Sequence, residues 1–235
     1  TENDLAAYAV KHYNFTTHEG FNAGIWKNDN ATDNQAATDY DKKWIPGQWK
    51  VPEAYDNPAS NDPWYFSTIR EANYFLETVV PRFEKGEIEG SETNIKHYIG
   101  EMYFLRAKNY LSKLETFGDF PIIKNTLPDE SESLIQASKR APRYKVAHFI
   151  LEDLDQAISL LTNNISGGKN RITKNAALLL KSRAALFEAS WLTYHKGTAL
   201  VPGGPGWPGK AEDIADFNID TEIAFFLKEA QAAAK

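Results

Sequence analysis

Apolar residues recur every three or four positions in five separate stretches of this chain, a period that suits α-helices and not strands. In "NDPWYFSTIREANYFLETVVP", residues 61 to 81, the series Tyr65, Ile69, Ala72, Leu76 and Val79 keeps that period. Asp62 offers an N-cap, Pro63 suits the first helical position, and Pro81 is expected to end the helix. From about Ile95 a second helix places Ile99, Tyr103, Ala107, Tyr110, Leu114 and Phe117 on one face, with Ala107 small enough for a neighbour to approach closely. Gly118 then supplies a C-terminal stop.

Two further stretches repeat the arrangement. "PRYKVAHFILEDLDQAISLL" has Val146, Ile150, Leu154, Ile158 and Leu161 in register, and "TKNAALLLKSRAALFEASWL" begins with Thr173 as N-cap. Leu178, Leu179, Leu180, Leu186 and Phe187 cover so much of the latter helix that it is expected to be sandwiched between others. A last helix, "DTEIAFFLKEAQAAAK", opens with Asp220 and Glu222 in its favourable first turn. Trp64 and Trp191 lie within helical patterns and are assigned to the core. The starts at Pro63 and Ile95 are 32 residues apart and those at Pro142 and Thr173 are 31 apart, close to the roughly 34-residue period of tetratricopeptide helix pairs. The strict tetratricopeptide consensus is missing. The fold class is therefore all-α: tetratricopeptide-like helix hairpins stacked side by side, with long irregular loops, and not a regular peptide-binding array.

Residues 16 to 60 break the pattern. They show no sustained period and hold Trp26, Trp44 and Trp49 among Asn, Asp, Gly and Pro. Loops beyond about 12 to 15 residues are usually functional or disordered, and the tryptophans argue against disorder.

Composition removes several classes of function. A net charge of -6 without any Lys/Arg block argues against nucleic acid, whose phosphates demand a basic footprint. Cysteine is absent, which excludes disulfides, thiolate catalysis and Cys-ligated metals. No apolar run approaches the roughly 18 to 20 residues of a membrane span, and the N-terminal stretch lacks the pattern of a signal peptide. Either the protein is cytosolic or an export signal has been removed.

The motifs that tempt a catalytic reading fail on context. "GPGWPGK", residues 204 to 210, satisfies GxxxxGK, but Ala211 stands where Ser or Thr should hold magnesium, and Pro205 and Pro208 remove phosphate-cradling N–H groups. An exposed structured loop is expected there. "NDNATDN", residues 28 to 34, lacks the calcium-loop frame and reads as a polar turn. His148 and Glu152 lie four apart on a helix without an HExxH motif and are read as a surface pair. No carboxylate pair and no nucleophile elbow stands out, so neither cofactor nor metal is expected and no catalytic residue is assigned.

One long stretch is specific. "EMYFLRAKNYLSKLETFGDFPII", residues 101 to 123, strongly resembles the signature of the SusD/RagB family, in which a helix of the form E-x-x-F-L-R-A-x-x-Y runs into G-D-[aromatic or V]-P-[L/I]. "YDKKWIPGQW", "IREANYFLETV", "APRYKVAHFILEDLDQAISLL" and "RITKNAALLLKSRAALFEASW" agree in the family's order. The resemblance implies an all-α, tetratricopeptide-like scaffold exported by Gram-negative bacteria and held at the outer-membrane surface by a lipidated N-terminal cysteine that this sequence lacks. It further implies that oligosaccharides or other nutrients are captured, without catalysis, over a partner SusC-like TonB-dependent transporter. Residues 1–235 would be the N-terminal helical domain, without the less regular C-terminal half. In physical terms Gly118 can turn left-handed, Asp119 can bond backbone N–H groups and Pro121 forbids the helix to resume, so Ile122 and Ile123 are expected to lie over the helical core. Arg106 is read as a structural or partner-facing ion-pairing group.

Aromatic rings can stack on the C–H face of a sugar while amides and carboxylates bond its hydroxyls. The candidate platforms are Trp26, Trp44, Trp49, Tyr55 and Trp207, with Asn28, Asp29 and Asn57 as hydroxyl partners. The alternative is a helical-repeat module whose only ligand is its transporter.

Overall fold

The computed structural model describes residues 1–13, 15, 45–46, 64–165 and 170–235. The chain divides into two compact units, one of Thr1–His12 with Pro63–Lys235 and one of Tyr13–Asp62. All described helices belong to the first: α1 (Glu2–Lys11), α2 (Ser67–Glu84), α3 (Glu92–Phe117), α4 (Ser131–Ala137), α5 (Arg143–Leu160), α6 (Lys174–Tyr194) and α7 (Ile219–Ala233). Among the described residues the β-structure is one isolated antiparallel bridge, Phe120 to Ala141. The all-α reading holds, and α2, α3, α5, α6 and α7 pack each against the next in that order, with α1 laid on α3.

Helix α3 is the centre of the stack. Besides the expected Ile99, Ala107, Tyr110 and Leu114 it buries Met102, Phe104, Leu105 and Leu111, because α1, α2, α5 and α6 all touch it. At Gly100 a Cβ would stand 3.0 Å from Leu161 and 3.3 Å from the Ala157 carbonyl, so the missing side chain lets α5 come close. The N-terminus of α3 is closed from α1, where the Glu2 carboxylate accepts from the Ser91 N–H and the Asn94 amide, both at 2.6 Å. Those two bonds, the backbone one first, hold the Glu2 carboxyl below the usual range.

The helices are tied by buried ion pairs that a helical wheel would place on polar faces. Arg106 of α3 meets Asp153 of α5 through two bonds of 2.7 Å and gives a third, of 2.8 Å, to Asn73 of α2. Arg143 of α5 donates to Glu188 of α6 at 3.0 and 2.7 Å. Arg171, just before α6, reaches Glu101 of α3 at 2.9 Å. Burial pushes the Asp153 and Glu188 carboxyls up while the paired guanidiniums pull them down. Lys181 of α6 joins Asp155 of α5 at 2.7 Å and Glu229 of α7 at 2.6 Å. Arg106 is thus the structural ion-pairing group expected.

Several local expectations need correction. Helix α2 starts at Ser67 because Trp64 and Phe66 turn aside to pack on Phe117 and Phe120, with ring centroids 4.8 to 5.0 Å apart; Asp62 and Pro63 lie outside the described residues. Pro81 does not stop α2, which runs on to Glu84. Only one backbone bond is forfeited, and Pro81 is exposed, so the freed carbonyl is on the solvent side. Helix α6 does lie between α5 and α7, but its contact strips are Ala177, Ala184, Ala185, Ala189 and Leu192, all buried. Those alanines bring the neighbours near, leaving Leu179 72% and Leu186 51% exposed. His148 does not pair with Glu152: it bonds Glu222 of α7 at 2.7 Å, and Glu152 meets Lys124 at 3.2 Å. After Gly118 it is Phe120 and Pro121 that are buried, while Ile122 and Ile123 are only half-buried.

Candidate functional site

Three described tryptophans, Trp64, Trp191 and Trp207, line clefts around the segment that joins α3 to α5. Helix α3 ends on Gly118, at φ +70°, a conformation open to glycine and costly to Phe117. Asp119 follows and spends both oxygens. Its Oδ1 accepts the N–H of Arg143, the first residue of α5, and its Oδ2 accepts the indole N–H of Trp207, each at 2.8 Å. Phe120 and Ala141 exchange two backbone bonds of 3.1 Å, which pins the segment at its other side. Ile123 is held by Tyr110, whose hydroxyl accepts its N–H at 2.8 Å, and by Asn73, which donates to its carbonyl at 2.8 Å. Burial pushes the Tyr110 hydroxyl up to about 12.

Trp207 stands in the turn-rich loop after α6, the structured, exposed loop expected of residues 204 to 210. A Cβ on Gly209 would fall 2.1 Å from its ring, so the backbone lies directly against the indole. With its nitrogen tied and one side packed, the ring is fixed in place. It stands between two clefts of about 300 and 510 Å³, and Asp119, Arg140, Trp207 and Pro208 line both. Trp191 borders the smaller cleft and Lys139, Lys210 and Asp213 the larger.

A third cleft, of about 290 Å³, opens beside α2 and is lined by Trp64, Phe66, Arg70, Asn73, Ile123 and Leu134, among others. Trp64 and Trp191 are therefore half-buried wall residues and not core, which corrects their assignment from periodicity. Trp191 is nevertheless a plug in its cleft: the Arg143 guanidinium lies 4.2 Å from its ring, the His195 ring 4.3 Å away, and its indole donates to the Leu200 carbonyl at 3.0 Å. Arg140, missed from sequence, carries its guanidinium 4.9 Å from the Trp64 ring. Only the placement of Trp64 ahead of α2 would have signalled that contact.

Residues 1–186 match the SusD-like family, described as starch-binding and associating with the outer membrane. The chain belongs to that family. Among solved structures this SusD-like chain is similar to a SusD-like protein from Bacteroides fragilis, at 30% identity over 57% of this chain and 25% of that one, with a TM-score of 0.47. A SusD-like carbohydrate binding protein from the same species matches at 19% identity over 57% and 25%, with a TM-score of 0.43. A laminarin binding SusD-like protein matches at 23% identity over 58% and 28%, also with a TM-score of 0.43. The matched region spans about a quarter of the length of these solved relatives. No curated protein matches the sequence.

Of the residues expected to bind ligand in this SusD-like chain, Trp26, Asn28, Asp29, Trp44, Trp49, Tyr55 and Asn57 lie outside the described residues. Trp207 is described and is a cleft wall, although its nitrogen is no longer free for a ligand. What the clefts offer is a rigid indole beside a guanidinium, a pairing suited to sugar rings and their polar substituents. Among the described residues no group of His, Asp or Glu is placed to hold a metal, and no helix is long and apolar enough to cross a membrane.

Proposed function

We propose that this chain is the N-terminal helical domain of a longer, lipid-anchored protein at the outer-membrane surface of a Gram-negative bacterium. There it captures oligosaccharides, without turning them over, and hands them to a SusC-like TonB-dependent transporter. The observation that carries this reading is the match of residues 1–186 to a family described as starch-binding and associating with the outer membrane. The cleft walled by Trp207 supports it, since a ring already immobilised by Asp119 and Gly209 loses little freedom when a sugar stacks on it. The tryptophans of the loop, Trp26, Trp44 and Trp49, are proposed as further platforms.

Calorimetry of the full-length protein against a glycan panel tests the reading. Trp207→Ala, and Trp44→Ala with Trp49→Ala, are each expected to weaken binding roughly two- to ten-fold per lost ring face. Undiminished affinity in a variant that still melts cooperatively removes its residues from the site. Release of new reducing ends would overturn the non-enzymatic assignment. Capture of the transporter with no affinity for any glycan would leave the helical module as an adaptor only.

A further inference from the structure

Arg140 is the cationic group that borders both Trp207 clefts. Its guanidinium lies 4.9 Å from the Trp64 ring centroid, and among the described residues it forms no ion pair or hydrogen bond through its side chain. A guanidinium held over an aromatic ring keeps N–H donors available at its edge. Arg140 borders both clefts together with the Trp207 ring.

Three of the four carboxylates that line the two clefts have partners within the fold. Asp119 accepts from the Arg143 N–H and from Trp207. Glu212 sits with Lys210 at 3.4 Å, and Asp213 accepts the Lys210 backbone N–H at 3.4 Å. Glu115 lies on the rim of the smaller cleft only, and Lys139, beside Arg140, adds an ammonium to the larger.

We propose that the Trp207 cleft selects acidic oligosaccharides: one sugar ring lies on Trp207 while its oxyanion, a uronic-acid carboxylate or a sulfate ester, meets the edge of Arg140. This rests on the glycan-capture reading above and narrows its substrate class. A neutral sugar gains the ring contact and leaves Arg140 to water. An acidic one adds charge-assisted, in-plane bonds in a site that already excludes part of the solvent. The chain's net charge of -6 opposes anions at long range, so any preference for them must arise locally.

The test compares matched pairs on the full-length protein: oligogalacturonate against its neutral methyl ester, and a sulfated maltooligosaccharide against the unsulfated one. The acidic member of at least one pair is expected to bind about ten-fold tighter or more, with the advantage shrinking as salt rises. The pair that shows the advantage tells carboxylate from sulfate. Arg140→Gln should erase the difference by weakening the acidic member, whereas Arg140→Lys should keep a part of it, because an ammonium cannot present two parallel donors. Equal binding within both pairs, or a preference that survives Arg140→Gln, overturns the proposal and leaves glycan capture standing. Failure of all four probes to bind overturns the proposal, while glycan capture itself falls only if the wider panel also fails to bind.

Discussion

The Tyr110 hydroxyl ties the core of α3 to the segment that follows it. It is wholly buried, accepts the Ile123 N–H and donates to the Ile123 carbonyl, and so clamps the segment that lines the clefts. Burial raises its ionisation to about 12, against an ordinary value near 10. The folded protein therefore keeps a proton that the unfolded chain releases in that window. Stability is undiminished below pH 10 and falls as pH rises from about 10 to 12. Tyr110→Phe should remove that part of the alkaline slope, at a constant cost of about 1–3 kcal/mol for the Ile123 N–H left without a partner. Denaturant titrations of both proteins across the window measure this, and parallel slopes would refute it. The residues that sequence exposed here were those with local consequences, Gly118 as a helix stop and Thr173 accepting from the Ala176 N–H at 3.2 Å, together with the ion-pairing character, though not the distant partner, of Arg106. Tyr110 reads in the sequence only as an apolar position, because its hydroxyl partner is set by where the chain goes after Gly118.

At the scale of elements, the period of three to four residues located every long helix among the described residues and most of the faces between them. It failed where depth matters. A wheel drawn for α6 favours its leucines, yet the buried strips are alanines, since close approach by two neighbours is worth more than bulk. The same wheel sends Asp153 and Glu188 to solvent. Both are buried because their arginines arrive from 47 and 45 residues away, a pairing that no local window contains. The end of α3 is the element feature that sequence fixes best, and it is open to test. Gly118→Ala forces a Cβ into φ +70° and should cost about 1–2 kcal/mol in the unfolding free energy. A variant as stable as the parent would mean that the turn relaxes freely.

At the scale of the molecule, the described helices are a chain of pairwise interfaces joined by buried arginine–carboxylate links: α3 to α5, α5 to α6, and α3 to the approach of α6. Such a pair need not add stability over apolar packing, but losing one partner strands a charge. Arg106→Met is therefore expected to cost about 3–5 kcal/mol, and Arg106→Met with Asp153→Leu to recover most of it. Chemical denaturation of the three proteins decides; a double variant as damaged as the single one would assign these groups a role beyond charge balance. The candidate site was less legible than the fold. Trp207 could be named from its loop, but the cleft around it is assembled by residues from three distant stretches, and Arg140 gains meaning only when Trp64 is beneath it.

The two bonds accepted by Asp119 have a practical corollary. The loop bearing Trp207 is not a detachable cassette: transplanted without the α3–α5 junction, its indole would lose the anchor that aims it. Any redesign of the cleft walls should move junction and loop together as one part.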